Sequence, residues 1–191
     1  MLTVYLAGPE VFLPDAIEVG ERKKRLCSAY GFEGIFPLDN EIVPKASSER
    51  IDRLIYRANE AMIRRAHFGI CNLTPFRGVS ADPGTVFEVG MLAGLGKRVF
   101  AYTNVAPDYF DRTKRTEALA FDSGQKLWRD THGMTVEDFG NADNLMIDWA
   151  VAERGGYPIV RHDARPMEID RDLTGFERCL RLAAEAFARP A

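Results

Sequence analysis

Residues 83–96 read PGTVFEVGMLAGLG, and Glu88 is the only charged residue among them. A run of apolar and small residues of this length predicts a helix that is mostly buried. Asp82 suits the N-cap and Pro83 the first helical position, while the glycines at 94–96 predict the end of the helix. Glu88 is either an exposed side chain on this helix, or it is paired or used in chemistry, because an unpaired carboxylate is costly to bury.

Short apolar strands alternate with helices on both sides of this stretch, an order typical of a parallel sheet covered by helices on both faces. The predicted strands are 3–8, 34–38, 68–73, 98–103 and 157–160. The predicted helices are 14–30, 47–66, the helix from 83, 144–156 and 173–188, with Ser47, Ser48 and Glu49 as the expected cap of the second. The predicted fold class is therefore α/β, with a five-stranded parallel sheet flanked by helices.

The composition suits one globular domain over residues 1–191, because 46% of the residues are hydrophobic. A net charge of -3 and a pI near 5.7 argue against a nucleic-acid polymer or an anionic membrane as partner. No apolar stretch is long enough and charge-free enough to cross a bilayer. Widely spaced Cys27, Cys71 and Cys179 indicate small core residues in a reducing compartment, so a cytoplasmic location is expected. The histidines show no metal-ligand spacing, so no metal is expected.

The segment 104–142 departs from the strand–helix rhythm. It is rich in Asp, Thr, Lys, Arg and aromatic residues and has weak periodicity. A loop this long inside a compact domain is usually functional or disordered. Two interpretations stay open at this point: a lid over an active site, and an ordinary surface insertion.

Ligands of open parallel α/β sheets bind beyond the carboxyl ends of the strands. There the first predicted strand delivers Gly8, Glu10 and Phe12, in a loop with neither a GxGxxG nor a Walker pattern. An acidic Glu10 in this loop would repel a pyrophosphate. The loop is therefore predicted to favour a neutral or cationic ligand over a phosphate-rich one.

Asp82 and Glu88 lie six residues apart on a helix that begins at this same edge. Two carboxylates near one pocket are the basic equipment for cleaving a glycosidic bond. One attacks the anomeric carbon or stabilises its positive charge, while another polar group manages the leaving group. Asp82 can also be an ordinary helix cap, and one residue can fill both roles.

Four stretches together resemble the nucleoside 2-deoxyribosyltransferase family: YLAGPEVF (5–12), CNLTPFRG (71–78), DPGTVFEVGMLAG (82–94) and DNLMID (143–148). The resemblance implies a flavodoxin-like (Rossmann-like) fold. It also implies transfer of a 2-deoxyribosyl group between nucleobases, with no metal or cofactor. The implied partners are 2′-deoxynucleosides and free nucleobases.

The resemblance assigns roles to five positions around the predicted site. Glu88 matches the nucleophile that forms a covalent deoxyribosyl intermediate, and Asp82 matches an acidic residue lining the same site. Tyr5 matches a tyrosine that holds the nucleophile and helps to keep it ionised near neutral pH, although an ordinary strand aromatic is the alternative. Gly8 and Phe12 match a loop that would let the nucleobase approach the backbone and stack.

The resemblance also implies a homo-oligomer, at least a dimer. Asn144 and Met146 match residues that reach a neighbouring subunit's site, where Asn144 would bind the sugar 5′-hydroxyl. Alternatively, Asn144 or Asp143 simply caps the helix that follows.

One position departs from the family pattern. Some members carry an aspartate on the second helix that protonates the leaving base, and Asn59 occupies that place here, with Glu60 beside it. Asn59 is expected to contact substrate, but an amide cannot act as a general acid of this kind. Glu60, Asp82 or a water molecule remains to supply the proton.

Three functions follow from these residues. The first is deoxyribosyl transfer through Glu88. The second is hydrolysis of 2′-deoxynucleoside 5′-monophosphates by a related N-glycosidase, for which Arg77 is a phosphate-binding candidate and the acidic first loop is unfavourable. The third is a non-catalytic nucleoside-binding domain of the same fold.

Overall fold

Five of the strands form one parallel sheet in a computed structural model that describes residues 1–40 and 49–188. The strands of the described part are β1 (Leu2–Ala7), β2 (Phe32–Ile35), β3 (Phe68–Asn72), β4 (Arg98–Thr103), β5 (Ala120–Asp122), β6 (Leu127–Arg129), β7 (Thr135–Val136) and β8 (Val160–Arg161). Its α-helices are α1 (Ala16–Ala29), α2 (Ile51–Arg65), α3 (Pro83–Gly94), α4 (Tyr109–Thr116), α5 (Leu145–Gly155) and α6 (Thr174–Ala188).

The strand order of the parallel sheet is β2-β1-β3-β4-β8. All four neighbouring pairs are parallel, with Val4 opposite Phe68 in the β1–β3 pair and Phe68 opposite Arg98 in the β3–β4 pair. The order reverses between β1 and β3, because the chain first moves outward to β2 and then returns. A crevice at such a reversal is the usual ligand position in this architecture. The predicted α/β class and the flavodoxin-like five-stranded parallel sheet are confirmed.

The two faces of the sheet bury different side chains, because successive residues of a strand point to opposite sides. In β1, Tyr5 and Ala7 belong to the core that includes residues of α2, α3 and α5. Val4 and Leu6 belong to the other core, which includes residues of α1 and α6. The near-continuous apolar strands of the sequence therefore reflect burial on both faces.

Helix α3 begins and ends as its sequence predicts. The Asp82 carboxylate accepts hydrogen bonds from the Thr85 backbone N–H at 2.8 Å and from the Thr85 hydroxyl at 3.0 Å. Pro83 follows at the first helical position, where no N–H partner is needed. Gly96, just beyond the helix, has a φ of 72°, a left-handed conformation that glycine adopts readily.

Several element boundaries differ from the predictions. The second strand covers Phe32–Ile35 rather than 34–38, because Pro37 starts a 3-10 turn that runs to Asp39. The Asp39 carboxylate stabilises this turn by accepting a hydrogen bond from the Phe36 backbone N–H at 2.8 Å. Helix α2 begins at Ile51. Of its expected cap, Ser47 and Ser48 lie outside the described residues. The last strand is Val160–Arg161 rather than 157–160.

The segment 104–142 is folded, which its weak periodicity does not predict. It contains α4 and an antiparallel sheet of order β5-β6-β7. Arg112 of α4 is buried, and its guanidinium donates to the carbonyl oxygens of Val79 at 2.8 Å, Pro107 at 2.8 Å and Ala142 at 2.7 Å. Both ends of the segment are thereby fastened to the loop that precedes α3.

Two expectations from composition have structural counterparts. Cys27, Cys71 and Cys179 are free and buried, as expected for small core residues. In the described part of the chain, no helix combines the length and the apolar character needed to cross a membrane.

Two helical glycines provide a test of the packing between α5 and the sheet. A Cβ added at Gly155 would lie 2.2 Å from the Val99 carbonyl oxygen, whereas one at Gly90 would meet nothing within 4 Å. We expect Gly155→Ala to lower the free energy of unfolding by about 1–3 kcal/mol, because backbone cannot move away cheaply. Gly90→Ala should raise it by about 0.5–1 kcal/mol through helix propensity. Urea unfolding followed by circular dichroism measures both, and equal stabilities would contradict the packing.

Candidate active site

A cavity of about 390 Å³ lies beyond the carboxyl ends of β1 and β2, beside the start of α3. Its walls come from the loop after β1, the turn after β2, helix α2 and the first two turns of α3. The lining residues are Gly8, Val11, Phe12, Pro37, Leu38, Asn40, Ile55, Asn59, Asp82, Gly84, Thr85 and Glu88. No residue of 104–142 is among these lining residues.

Glu88 and Tyr5 form the hydrogen bond at the base of the cavity. The Tyr5 hydroxyl donates to Glu88 Oε1 at 2.6 Å, a distance typical of a hydrogen bond to an ionised carboxylate. Tyr5 is fully buried because it points from a central strand toward α3. The structure therefore brings these two sequence-predicted residues into direct contact, although they lie 83 positions apart in the chain.

Burial raises the pKa of Glu88 from its ordinary value of 4.5 to about 7. The hydrogen bond from Tyr5 acts in the opposite direction, and the negative charge of Asp82 raises the pKa further. Tyr5 assists ionisation as expected, but removal of water from the carboxylate has the larger effect. Burial also raises the pKa of Tyr5 well above its usual range, so the phenol stays a donor at neutral pH.

Asp82 has two roles in the structure: it caps α3 and it lines the cavity. The cap uses Oδ2, which accepts both hydrogen bonds from Thr85. Within the described residues no hydrogen bond engages Oδ1. One oxygen of this carboxylate is therefore available to a ligand without loss of the cap.

Gly8 and Phe12 form the wall contributed by the loop after β1. A Cβ at Gly8 would lie 1.9 Å from Glu10 Oε2 and 2.9 Å from Asn72 Cβ, so only glycine fits there. The Phe12 side chain is 56% exposed although it is large and apolar. One face of its ring stacks on Phe76, with centroids 5.2 Å apart and planes 13° apart. This leaves Phe12 as an aromatic platform at the cavity.

The amide of Asn59 lines the cavity, whereas Glu60 does not. Glu60 pairs instead with Arg64 at 2.7 Å along the outer face of α2. Of the two carboxylates considered as replacement acids, only Asp82 is at the cavity. Asn40, a strand-end candidate with no assigned role, also lines the cavity, and its Nδ2 lies 3.4 Å from Asn59 Oδ1. The only signal for it is its position just beyond a predicted strand.

Asn144 and Met146 do not line the cavity of their own chain. Asn144 is the N-cap of α5: its Oδ1 accepts the Met146 backbone N–H at 3.0 Å, and its Nδ2 donates to Glu137 at 2.6 Å. The alternative that Asn144 caps the helix is therefore correct as far as local structure is concerned. Met146 is 71% exposed, although methionine side chains are more often buried.

The prediction that Glu10 faces the ligand is wrong. Glu10 is only 2% exposed, and its Oε1 lies 2.5 Å from the Nζ of Lys23, which is fully buried in α1. Its negative charge is thus compensated on the far face of the sheet. The first loop presents backbone and Phe12 to the cavity rather than an acid.

Other parts of the described surface fit the role of active site less well. A larger groove of about 810 Å³ lies between α1 and the start of α6, and its walls are mostly charged side chains. It is on the opposite face of the sheet from Glu88. Within residues 1–40 and 49–188, no group of His, Cys, Asp and Glu side chains has an arrangement suited to a metal ion.

Comparison with known proteins gives a family match over most of the chain. The family described as nucleoside 2-deoxyribosyltransferase matches residues 4–146. A curated protein of Schizosaccharomyces pombe, described only as uncharacterized, is 28% identical over 169 residues, covering 82% of this chain and 80% of that protein.

Solved structures agree with this match. The chain is similar to a 2-deoxyribosyltransferase from Leishmania mexicana, with a TM-score of 0.65 and 26% identity, over 95% of this chain and 98% of that one. It is also similar to a conserved protein from Enterococcus faecalis V583, with a TM-score of 0.51 and 17% identity, over 90% and 96% of the two chains. The second similarity concerns the fold alone.

Replacing Glu88 by glutamine tests its burial. A folded-state pKa near 7, above the ordinary value of 4.5, means that the folded state binds this proton more tightly than the unfolded state. Stability is therefore lost as pH rises through this interval, and a neutral Glu88→Gln side chain avoids the loss. We expect the variant to gain about 2–3 kcal/mol relative to wild type between pH 4.5 and pH 8.

Denaturant unfolding at both pH values measures the gain. Glu153→Gln, at an exposed position of α5, is the matched control and should show the same difference from wild type at both pH values. A Glu88→Gln difference that does not change with pH would contradict the raised pKa.

Proposed function

This chain belongs to the nucleoside 2-deoxyribosyltransferase family, and we propose that it transfers a 2-deoxyribosyl group between nucleobases through a covalent intermediate on Glu88. The observation that supports this most directly is the pairing of Glu88 with Tyr5 at a cavity that also contains Asp82. A half-buried carboxylate that accepts one neutral donor and, within the described residues, has no cation beside it keeps an oxygen that can attack a ligand. Carboxylates are the usual nucleophiles of retaining glycosidases.

The proposed reaction has two steps. In the first, a Glu88 oxygen attacks C1′ of a 2′-deoxynucleoside, and the base leaves with the electron pair of the broken C1′–N bond. In the second, a nitrogen of another base attacks C1′ from the face the first base left, the electron pair of the broken bond returns to Glu88, and the proton of that nitrogen passes to the group that protonated the first base. Two displacements retain the configuration at C1′. The missing 2′-hydroxyl eases formation of positive charge at C1′, which favours deoxyribose.

Ionisation of Glu88 sets the pH dependence of the first step. With a pKa of about 7, the reactive carboxylate form increases as pH rises through neutrality. Asp82 is the carboxylate closest in position to the leaving base, since one of its oxygens is not used by the helix cap, and it would direct a proton to the base either itself or through a water molecule. The amide of Asn59 would hydrogen-bond the base rather than protonate it.

The loop wall would bind the base. Phe12 is 56% exposed and stacked on Phe76, and base–aromatic stacking contributes about 1–3 kcal/mol. Gly8, without a side chain, lets a flat ring approach the backbone. Because stacking is tolerant of base identity, polar groups such as Asn40 and Asn59 would supply discrimination.

A hydrolase of 2′-deoxynucleoside 5′-monophosphates is the second candidate, and one observation favours it. Glu10, the acid that argues against a phosphate in this loop, is neutralised by Lys23. The Arg77 guanidinium lies 5.5 Å from the Phe12 ring centroid and 4.7 Å from that of Phe76, beside a smaller cavity of about 250 Å³. An exposed cation next to the base wall is suited to a phosphate.

One assay separates these functions. The protein is incubated with a 2′-deoxynucleoside or its 5′-monophosphate, with and without a second free base, and products are resolved by chromatography. Formation of a new nucleoside that depends on the acceptor base supports transfer. Base release from the monophosphate alone supports the hydrolase, and no product from any substrate supports a non-catalytic nucleoside-binding domain.

Variants of the Tyr5–Glu88 pair test the nucleophile. We expect Glu88→Ala to lower base exchange by about 10³-fold or more, because the attacking oxygen is removed. Tyr5→Phe removes a hydrogen bond that favours the ionised carboxylate, so it should leave measurable exchange whose pH dependence moves to higher pH. Initial rates between pH 5 and pH 9 measure both effects, and near-normal exchange by Glu88→Ala would exclude the covalent mechanism.

We also propose that the active form is a homo-oligomer, at least a dimer, in which Asn144 completes a neighbouring site. Exposed apolar side chains on the helices of the Glu88 face favour such an assembly. Phe87 on α3 is 56% exposed, and Met146 and Trp149 on α5 are 71% and 59% exposed. Asn144, at the first turn of α5, lies directly beside Met146 in the chain.

Mixing two inactive variants tests this arrangement. If Asn144 serves the neighbour's site, mixed dimers of Glu88→Ala and Asn144→Ala chains contain one site with both residues intact. We expect about a quarter of wild-type activity after the chains are mixed and allowed to exchange. A mixture of Glu88→Ala and Asp82→Ala is the control and should recover nothing, because both residues line the cavity of one chain. No recovery in the first mixture would limit Asn144 to capping α5.

A further inference from the structure

A buried ion pair lies behind the cavity, on the opposite face of the sheet from Glu88. Lys23 of α1 is fully buried, and Glu10 in the loop after β1 is 2% exposed. Their charged atoms are 2.5 Å apart. Neither side chain lines the Glu88 cavity, so neither takes part in the reaction proposed above.

The Glu10 carboxylate joins three elements through a single oxygen. Its Oε1 accepts Lys23 Nζ from α1, Asn72 Nδ2 from β3 at 3.0 Å and the Tyr102 hydroxyl from β4 at 2.9 Å. Tyr102 is fully buried, and burial together with the Glu10 charge raises its pKa. The loop after β1 is thereby fastened to the interior rather than resting on it.

This arrangement is poorly suited to stability alone. Both charges are removed from water, and a buried ion pair is often no more stable than well-packed apolar residues of similar volume. The second oxygen, Oε2, is buried and has no hydrogen-bond partner in the described part of the chain. An unpaired buried oxygen costs stability. We therefore attribute to the network a role in fixing local geometry rather than in stabilising the folded state.

The geometry that it fixes is the wall of the cavity. Glu10 belongs to the 3-10 turn Pro9–Phe12, directly between Gly8 and Phe12. Its Oε2 lies so close to Gly8 that a Cβ there would be 1.9 Å away. The backbone oxygen of Glu10 accepts the Leu13 N–H at 3.1 Å, which closes the turn.

We propose that the Glu10–Lys23 ion pair positions the loop after β1, so that Gly8 and Phe12 stay where they can bind a nucleobase. This inference rests on the proposed function for its kinetic consequence. The nucleophile and its partner Tyr5 are on the other face, and in the described part of the chain no hydrogen bond joins them to the pair. Removing both charges should therefore weaken base binding while the chemical step proceeds.

The double variant Glu10→Gln/Lys23→Met tests the proposal. Gln keeps an acceptor for Asn72 and Tyr102, and Met replaces the lysine stem without its charge. We expect KM for the acceptor base to rise about tenfold or more while kcat changes by less than about threefold. The pH dependence of kcat, which reports Glu88, should stay as in wild type.

A surface pair provides the matched control. Arg165 and Glu168 lie 2.9 Å apart with mostly exposed side chains. Arg165→Met/Glu168→Gln removes the same charges from the surface and should leave KM and kcat unchanged. An unchanged KM in the Glu10→Gln/Lys23→Met variant would overturn the proposal, as would a double variant that fails to fold, since the pair would then serve the whole fold.

Hydrogen exchange of the ligand-free protein tests the positioning without turnover. In the double variant, amides of 10–13 should exchange at least about tenfold faster, while those of α3 keep their wild-type rates. Unchanged exchange in 10–13 would overturn the positioning role whatever the activity. If wild type shows no base exchange but loop protection falls as expected, only the proposed function fails.

Discussion

The hydrogen bond from Tyr5 to Glu88 is the interaction on which the arrangement of the site depends. A carboxylate with little access to water is costly unless a partner meets it, and here the partner is a neutral phenol. Tyr5 can supply it because β1 pairs with β2 on one side and β3 on the other, which holds its hydroxyl firmly beneath α3. The compensation is incomplete, so the pKa of Glu88 rises to about 7. The carboxylate at this site therefore changes its ionisation near neutral pH.

Two glutamates at the same edge of the sheet, Glu10 buried and Glu88 half-buried, have different partners. Glu10 is buried and accepts hydrogen bonds from Lys23, Asn72 and Tyr102, so its carboxylate is held in place. Glu88 meets one phenol and an open cavity. A full countercharge immobilises a carboxylate, whereas a single neutral donor leaves an oxygen free to react with a ligand. The sheet separates the two, so one face supports the wall of the cavity and the other contains the proposed nucleophile.

Local sequence signals predicted most of the fold. They failed where an element is very short, and where the interaction that positions it comes from a distant part of the chain. The α3 boundaries follow from Asp82, Pro83 and the terminal glycines, and β4 has the predicted bounds of 98–103. The strands of 104–142 are two or three residues long, too short for an alternating pattern to be recognised. The end of β2 depends on a turn at Pro37, and the anchoring of the insertion depends on Arg112 reaching Val79.

The sequence by itself determined the order of the parallel-sheet strands and the helices that flank them, the cap of α3 and the short list of residues at the strand ends. These follow from periodicity and turn chemistry, which are local, and from the family resemblance for the named roles. The family resemblance implied the contact between Tyr5 and Glu88, which the tertiary structure contains, whereas only the tertiary structure decided that Glu10 turns inward to Lys23. Side-chain direction at a loop and the partner of a buried charge depend on which distant elements pack there. Tyr5 and Glu88 are 83 positions apart, and although Glu10 and Lys23 are only 13 apart, no periodic pattern shows that a loop side chain turns toward a helix.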